Sequence, residues 1–211
     1  MNLNICTYIH PKREEGDVMV KKRKKRWTVG RKLFILLLII ILAVFSILNI
    51  PILEKVIYPY PNQAIIEKYA TQYGVDPLFV VSVIREESKF LSKSESHKGA
   101  KGLMQLMPST AQSIAESLGD KTYIEDDLLK PEKNIQYGTW YLASLQKVFA
   151  NNTTLVTAAY NGGRGHVQEW IKNGQIDPSN IRLQDIPFKE TRDYVGRVLK
   201  SYEKYNKLYR K

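Results

Sequence analysis

From Leu33 to Leu48 the chain reads LFILLLIIILAVFSIL, a run in which Ser46 alone is polar. Extended through Asn49, Ile50, Pro51, Ile52 and Leu53, the apolar span 33–53 passes the roughly 18–20 residues that a helix needs to cross the hydrocarbon of a bilayer. It has no polar face, so it does not read as the amphipathic helix of a soluble core. Lys21, Lys22, Arg23, Lys24, Lys25, Arg26, Arg31 and Lys32 stand just before it, and residues 1–32 hold +7 of the chain's net charge of +11. Basic residues beside an apolar span orient it, with the basic end in the cytoplasm and everything after Leu53 outside. Attraction to anionic lipid accounts for the block, so no nucleic-acid partner is expected. The run is long for a signal peptide and no small-residue cleavage site follows, which favours an uncleaved signal anchor. Met19, followed directly by Val20 and the basic block, reads as the natural start, with 1–18 an upstream extension.

The expected organisation is a basic cytoplasmic N-terminus (1–32), a membrane anchor (33–53), a short stiff linker (54–61) carrying Tyr58-Pro59-Tyr60-Pro61, and one domain over 62–211. A single cysteine, Cys6, excludes an intramolecular disulfide and a structural cysteine-zinc site, and the scattered His10, His97 and His166 make no metal-ligand pattern. No run of the domain alternates with period two. Helical periodicity covers Gln63–Tyr73, a segment opened by Asp76-Pro77, and another from Pro108 to Gly119. It continues from Pro131 through Phe149, around Leu155–Tyr160 and His166–Lys172, and over Lys189–Tyr209. The expected class is mainly α.

One residue breaks the apolar pattern in a way that invites chemistry. On a helix starting at Pro77, Val80, Val83 and Ile84 share a face, and Glu87 falls in its middle; Ser82 and Arg85 point away, with Glu86 at the edge of the arc. A carboxylate centred on an apolar stripe is costly unless paired, for instance with Arg192, or protonated. A carboxyl that keeps its proton near neutrality suits a general acid acting on a glycosidic oxygen.

Glu87 also sits in company. Arg85-Glu86-Glu87-Ser88-Lys89-Phe90 is followed by Gly99-Ala100-Lys101-Gly102-Leu103-Met104-Gln105-Leu106-Met107-Pro108, then Ala158-Ala159-Tyr160-Asn161-Gly162-Gly163, then Glu190-Thr191-Arg192-Asp193-Tyr194-Val195. In this order and at these spacings the four segments resemble the motifs of the family 1 lytic transglycosylases, whose catalytic domain is related in fold to goose-type lysozyme. The resemblance covers roughly Asn62 to Leu208. It implies a lysozyme-like helical domain acting on the glycan strands of peptidoglycan at a bacterial cell membrane, without metal or organic cofactor. It implies Glu87 as the catalytic acid and base, and Ser88, Ser96, Met104, Gln105, Tyr160, Asn161, Glu190 and Tyr194 as residues of the substrate site. The sequence departs from the family in reading Leu91–Lys98 where Asn-Pro and Ser-Pro are common, and Gly162 where Ala is usual.

A standard glycosidase uses two carboxylates, about 5–5.5 Å apart when retaining and about 6.5–9.5 Å apart when inverting. The motifs supply one confident acid, so the resemblance implies substrate assistance and a 1,6-anhydro product. A hydrolytic muramidase on the same fold and an inactive wall-binding protein are the alternatives. Asn151 and Asn152 fit glycosylation sequons, relevant only in a eukaryotic secretory setting.

Overall fold

The computed structural model describes residues 28–210, so the basic block 21–26, Cys6 and the Met19 start lie outside the described residues. The chain divides into two compact units, 1–48 and 49–211. In the first unit the described residues belong to α1 (Val29–Ile57), whose Val29–Ser46 stretch has a mean hydropathy of 2.4 and is long and apolar enough to cross a membrane. The side chains from Leu33 to Phe45 are mostly exposed.

The second unit is built from helices α2 (Gln63–Tyr73), α3 (Pro77–Ser88), α4 (Pro108–Leu118), α5 (Pro131–Val148), α6 (Thr153–Gly162), α7 (Arg164–Lys172) and α8 (Lys189–Tyr209), with short 3-10 turns at Glu125–Leu129 and Leu183–Asp185. Among the described residues there are no strands, and two isolated pairings, Glu95 with Lys101 and Lys101 with Leu106, close the loop before α4. The helix boundaries follow local chemistry. Asp76 caps α3 by accepting from the Leu78 amide at 2.8 Å, with Pro77 in the first turn where a missing N–H costs nothing. Gly119 ends α4 at φ +68°. Asn152, one of the sequon residues, caps α6 by accepting from Leu155 N at 3.1 Å.

α3 is the central element. α8 and α2 pack on it, while α6 packs on α8 and α5 carries α2, α4 and α6. Leu78, Phe79, Val80, Val81, Val83 and Ile84 are all buried, each large side chain contributing about 1.5–3 kcal/mol through removal from water. Ser82, expected to point away from the apolar face, is buried as well and donates to Leu78 O at 2.6 Å. A wheel assumes one buried face; a helix enclosed by several neighbours buries nearly all of its circumference, and a small hydroxyl satisfied by its own backbone fits there.

Segment 54–61, expected as a linker, is docked on this unit. Tyr205 and Tyr209 of α8 donate their hydroxyls to Pro59 O (2.7 Å) and Tyr58 O (2.8 Å), and Arg85 donates to Ile57 O at 2.7 Å while its guanidinium lies over the Tyr58 ring. Lys204 pairs with Glu54 at 3.1 Å. The aromatic residues of the Tyr-Pro-Tyr-Pro run find rings on α8, which composition alone does not reveal. A chain starting at Asn62 should therefore melt about 10 °C below one starting at Asn49, for a loss of about 3–5 kcal/mol in hydrogen bonds and ring contacts. Equal melting temperatures would show that the docking contributes nothing.

Candidate active site

The last turn of α3 places Glu87 at the floor of an open cleft of about 440 Å³. Ser96, Gln105, Tyr160, Asn161 and Glu190 line the same cleft, so five of the sequence-nominated residues gather around Glu87 from three separate segments. His97, Lys98, Ala100 and Met107 complete the walls. His97, which belongs to no metal-ligand pattern in the sequence, is exposed at the mouth of this cleft. Its place just after Ser96 is the only signal that could have found it.

Burial pushes the Glu87 carboxyl up from its ordinary 4.5 to about 7, and the neighbouring Glu86 adds in the same direction. Three groups oppose the rise: the Tyr194 hydroxyl, which donates to Oε1 at 2.6 Å, and the charges of Arg197 and Lys89. The pairing with Arg192 that the wheel left open is not made; Arg192 lies instead against Gln184 O, at 3.5 Å. Glu86, beside it, has a side chain only 6% exposed. It accepts from the Ser201 hydroxyl at 2.6 Å, pairs with Lys89 at 2.7 Å and lies 3.7 Å from Arg197. Two adjacent carboxyls thus have opposite surroundings. Glu86 is compensated by cations, whereas Glu87 has a neutral phenol and the cleft.

Ser88, Met104 and Tyr194, which the motifs nominate as substrate contacts, are all buried and are not among the residues that line the cleft. Ser88 is a structural fastener. Lys89 and Phe90, which follow it, both have positive φ (51° and 69°), a strained conformation for non-glycine residues. The Ser88 hydroxyl accepts from Phe90 N at 3.1 Å and holds that turn at the end of the helix carrying Glu87. Met104 packs into the core against Gly138, where an added Cβ would meet its sulfur at 2.3 Å. Its backbone is what faces the site's support: Met104 O accepts from the buried Tyr160 hydroxyl at 2.7 Å, and Met104 N donates to Asn134 Oδ1 at 2.7 Å. Tyr194 reaches Glu87 from α8, behind the cleft. Tyr160 belongs to both groups, since its ring edges the cleft while its hydroxyl braces the loop.

Gln105 shows how the loop 99–107 presents a side chain. Its Nε2 is engaged by Ser94 O (3.1 Å) and Gly102 O (2.9 Å), which leaves Oε1 as an acceptor for a ligand. Ser96 accepts from Ala100 N at 2.9 Å and so closes the turn it sits on.

These features define a class: an all-helical, lysozyme-like domain with one proton-retaining carboxyl at the floor of an open polar cleft. The transglycosylase SLT domain family matches residues 64–181, and the chain belongs to that family. The soluble lytic murein transglycosylase of Escherichia coli is 36% identical over 155 residues, 72% of this chain and 24% of that protein. The membrane-bound lytic murein transglycosylase C of Edwardsiella ictaluri is 32% identical over 164 residues, 68% of this chain and 46% of that protein. Among solved structures, the 70 kDa soluble lytic transglycosylase of Escherichia coli superposes with a TM-score of 0.68 at 34% identity, over 73% of this chain and 25% of that one. The chain thus spans about a quarter to a half of the length of these relatives.

Proposed function

We propose that the chain is a membrane-anchored lytic transglycosylase that cleaves the β-1,4 bond between N-acetylmuramic acid and N-acetylglucosamine in peptidoglycan without water. The observation that carries the reading is the Glu87 carboxyl, raised by burial to about 7, in a cleft that it shares with Ser96, Gln105, Tyr160, Asn161 and Glu190. Glu87, protonated, gives its proton to the oxygen leaving C1. The carbonyl oxygen of the muramic N-acetyl group bonds to C1 as that bond breaks. Glu87, now ionised, takes the proton of the same residue's C6 hydroxyl; O6 bonds to C1, the acetamido oxygen leaves, and the 1,6-anhydro ring closes. The internal hydroxyl outcompetes water because it is already held beside the reacting carbon, an effective-molarity advantage. Gln105 Oε1 and Asn161 are suited to hold the sugars' amide and hydroxyl groups. α1 is suited to anchor the domain in the cell membrane, and the basic residues before it favour a cytoplasmic N-terminus with the domain outside, near the wall.

Mass spectrometry of purified peptidoglycan digested by the full chain in detergent tests the reading. Products should end in 1,6-anhydro-N-acetylmuramic acid. Reducing ends, heavier by one water, would instead make the protein a muramidase, with Glu190 across the cleft the first base to examine. Binding without products would leave a wall-binding protein.

Tyr194→Phe supplies a second check. Its hydrogen bond holds Glu87 below the value burial alone would give. Without it the carboxyl keeps its proton to higher pH, so the alkaline limb of the activity profile should move up by about half a unit to one unit. An unmoved limb would detach Tyr194 from the acid's proton affinity.

A further inference from the structure

The last turns of α1 belong to the second unit and carry an apolar surface that this unit does not cover. Ile52, Leu53, Val56 and Ile57 are all more than half exposed, from 53% at Ile57 to 71% at Val56. Ile52 and Leu53 finish the apolar span, and Val56 and Ile57 carry it one turn further. Single apolar side chains on a surface need no explanation, but a contiguous group marks a contact.

α8 meets this segment with a stripe of lysines. Lys200, Lys204 and Lys207 recur every three to four residues and so share one face of the helix. Lys204 pairs with Glu54 at 3.1 Å, and Lys55 lies over the Tyr209 ring at 5.4 Å, which holds the stripe beside the end of α1. Tyr60 and Tyr209 pack edge to face behind it, their ring centroids 5.5 Å apart. Lys55, Lys200 and Lys207 are exposed, and none of them forms an ion pair with a described residue. Residues 199–211 hold five basic residues against one acid, Glu203, and of these Arg210 is already paired with Asp76.

Exposed aliphatic side chains, lysines without acidic partners and packed tyrosines are together the composition of a surface at a lipid–water boundary. The apolar patch continues the membrane span along the same chain, so the headgroup layer is the first surface it meets. Resting on the reading that α1 lies in the membrane, we infer that the end of α1 and the lysine stripe of α8 form one face that docks on anionic phospholipid headgroups. The aliphatic side chains enter the boundary and Lys55, Lys200 and Lys207 bind the lipid phosphates. The domain is then held against the bilayer instead of swinging on its anchor.

The test measures amine-labelling rates by mass spectrometry on the full chain in lipid nanodiscs, of phosphatidylcholine alone or mixed with phosphatidylglycerol. Lys55, Lys200 and Lys207 should label about tenfold more slowly in the anionic discs, and high salt should erase the difference. Lys121 and Lys172, elsewhere on the domain, should label alike in both. In the triple variant Lys55→Gln, Lys200→Gln, Lys207→Gln, the remaining Lys204 should lose its lipid dependence. Cleavage of peptidoglycan in detergent should match the native rate and show that the variant folds. Lys207→Glu alone, at an exposed position, should release Lys200 and Lys55 in part.

Equal rates in the two lipids overturn the inference, and so does an equal slowing at every lysine. Lys204 remaining slow in the triple variant also overturns it, since the tether alone would then bring this face to the lipid. Slowing produced by soluble poly(glycerol phosphate), and not by phosphatidylglycerol, would assign the face to an anionic wall polymer instead. A chain that does not enter the discs removes the anchor and the docking with it; an inserted chain without lipid dependence removes the docking alone.

Discussion

Glu87→Gln should lower the rate of peptidoglycan cleavage by about three orders of magnitude, the contribution of a positioned acid and base, while making the domain more stable at alkaline pH. The amide keeps an oxygen that can accept from Tyr194 and loses only the proton chemistry. The stability change follows from linkage. The folded carboxyl titrates near 7 and the unfolded one near 4.5, so the native chain carries no penalty below pH 4.5. Above that the unfolded state releases its proton while the folded state retains it, and the penalty grows until about pH 7, where it levels off. Its ceiling is about 3 kcal/mol, so Glu87→Gln should match the native melting temperature near pH 4 and exceed it by about 6–9 °C at pH 8. Thermal melts of both proteins at the two pH values decide this. A constant offset between them would mean that Glu87 is not the group that holds the proton, and cleavage that survives the substitution would remove it from catalysis.

Gly102→Ala should unfold or severely destabilise the domain, and Gly99→Ala, three residues away, should not. Both glycines have positive φ, 78° and 83°, so both substitutions meet about 1 kcal/mol of backbone strain. Only Gly102 is also enclosed: a Cβ there would lie 2.0 Å from Leu128 O and 2.3 Å from Asn134 Nδ2. Neither can yield easily, because Asn134 is fully buried and fastens three segments at once. It accepts from Met104 N at 2.7 Å and donates to Lys101 O at 2.9 Å and Leu128 O at 2.8 Å. Asn134→Ala, which strands those three buried backbone groups, should cost about 3–5 kcal/mol and lower the melting temperature by about 10 °C. Denaturant or thermal unfolding of the three variants checks the ranking. Equal losses at Gly99 and Gly102 would mean that backbone strain alone, and not the clamp, makes the loop intolerant.

Much of the helical layout was legible along the chain. Asp76 and Pro77 mark the start of α3, Pro108 and Gly119 mark the two ends of α4, and the spacing of Tyr194, Val195, Val198, Ser201 and Tyr205 marks the face of α8. These are local rules, satisfied within a turn or two, so a sequence displays them. Glu87 was legible for a related reason: a charged residue in the middle of an apolar arc is an anomaly visible without neighbours. The family motifs then supplied the residues that the fold gathers into one cleft.

The rest depended on partners far apart in the chain. Glu86 and Glu87 are adjacent carboxyls of the same type. Only the packing of α8 against α3, which brings Ser201 and Arg197 to one and Tyr194 to the other, gives them opposite electrostatics. Ser88, Met104 and Tyr194 read as substrate contacts because they stand in motifs, and their burial is a property that the motifs do not display. The docking of 54–61 on Arg85, Tyr205 and Tyr209 likewise joins segments that no spacing rule connects. The sequence by itself determined the helices, the long apolar run of α1 and the anomalous acid, because propensity, capping and periodicity act over a few residues. The tertiary structure decided which carboxyl keeps its proton and which motif residues face the cleft, because desolvation and hydrogen bonding depend on what lies across space.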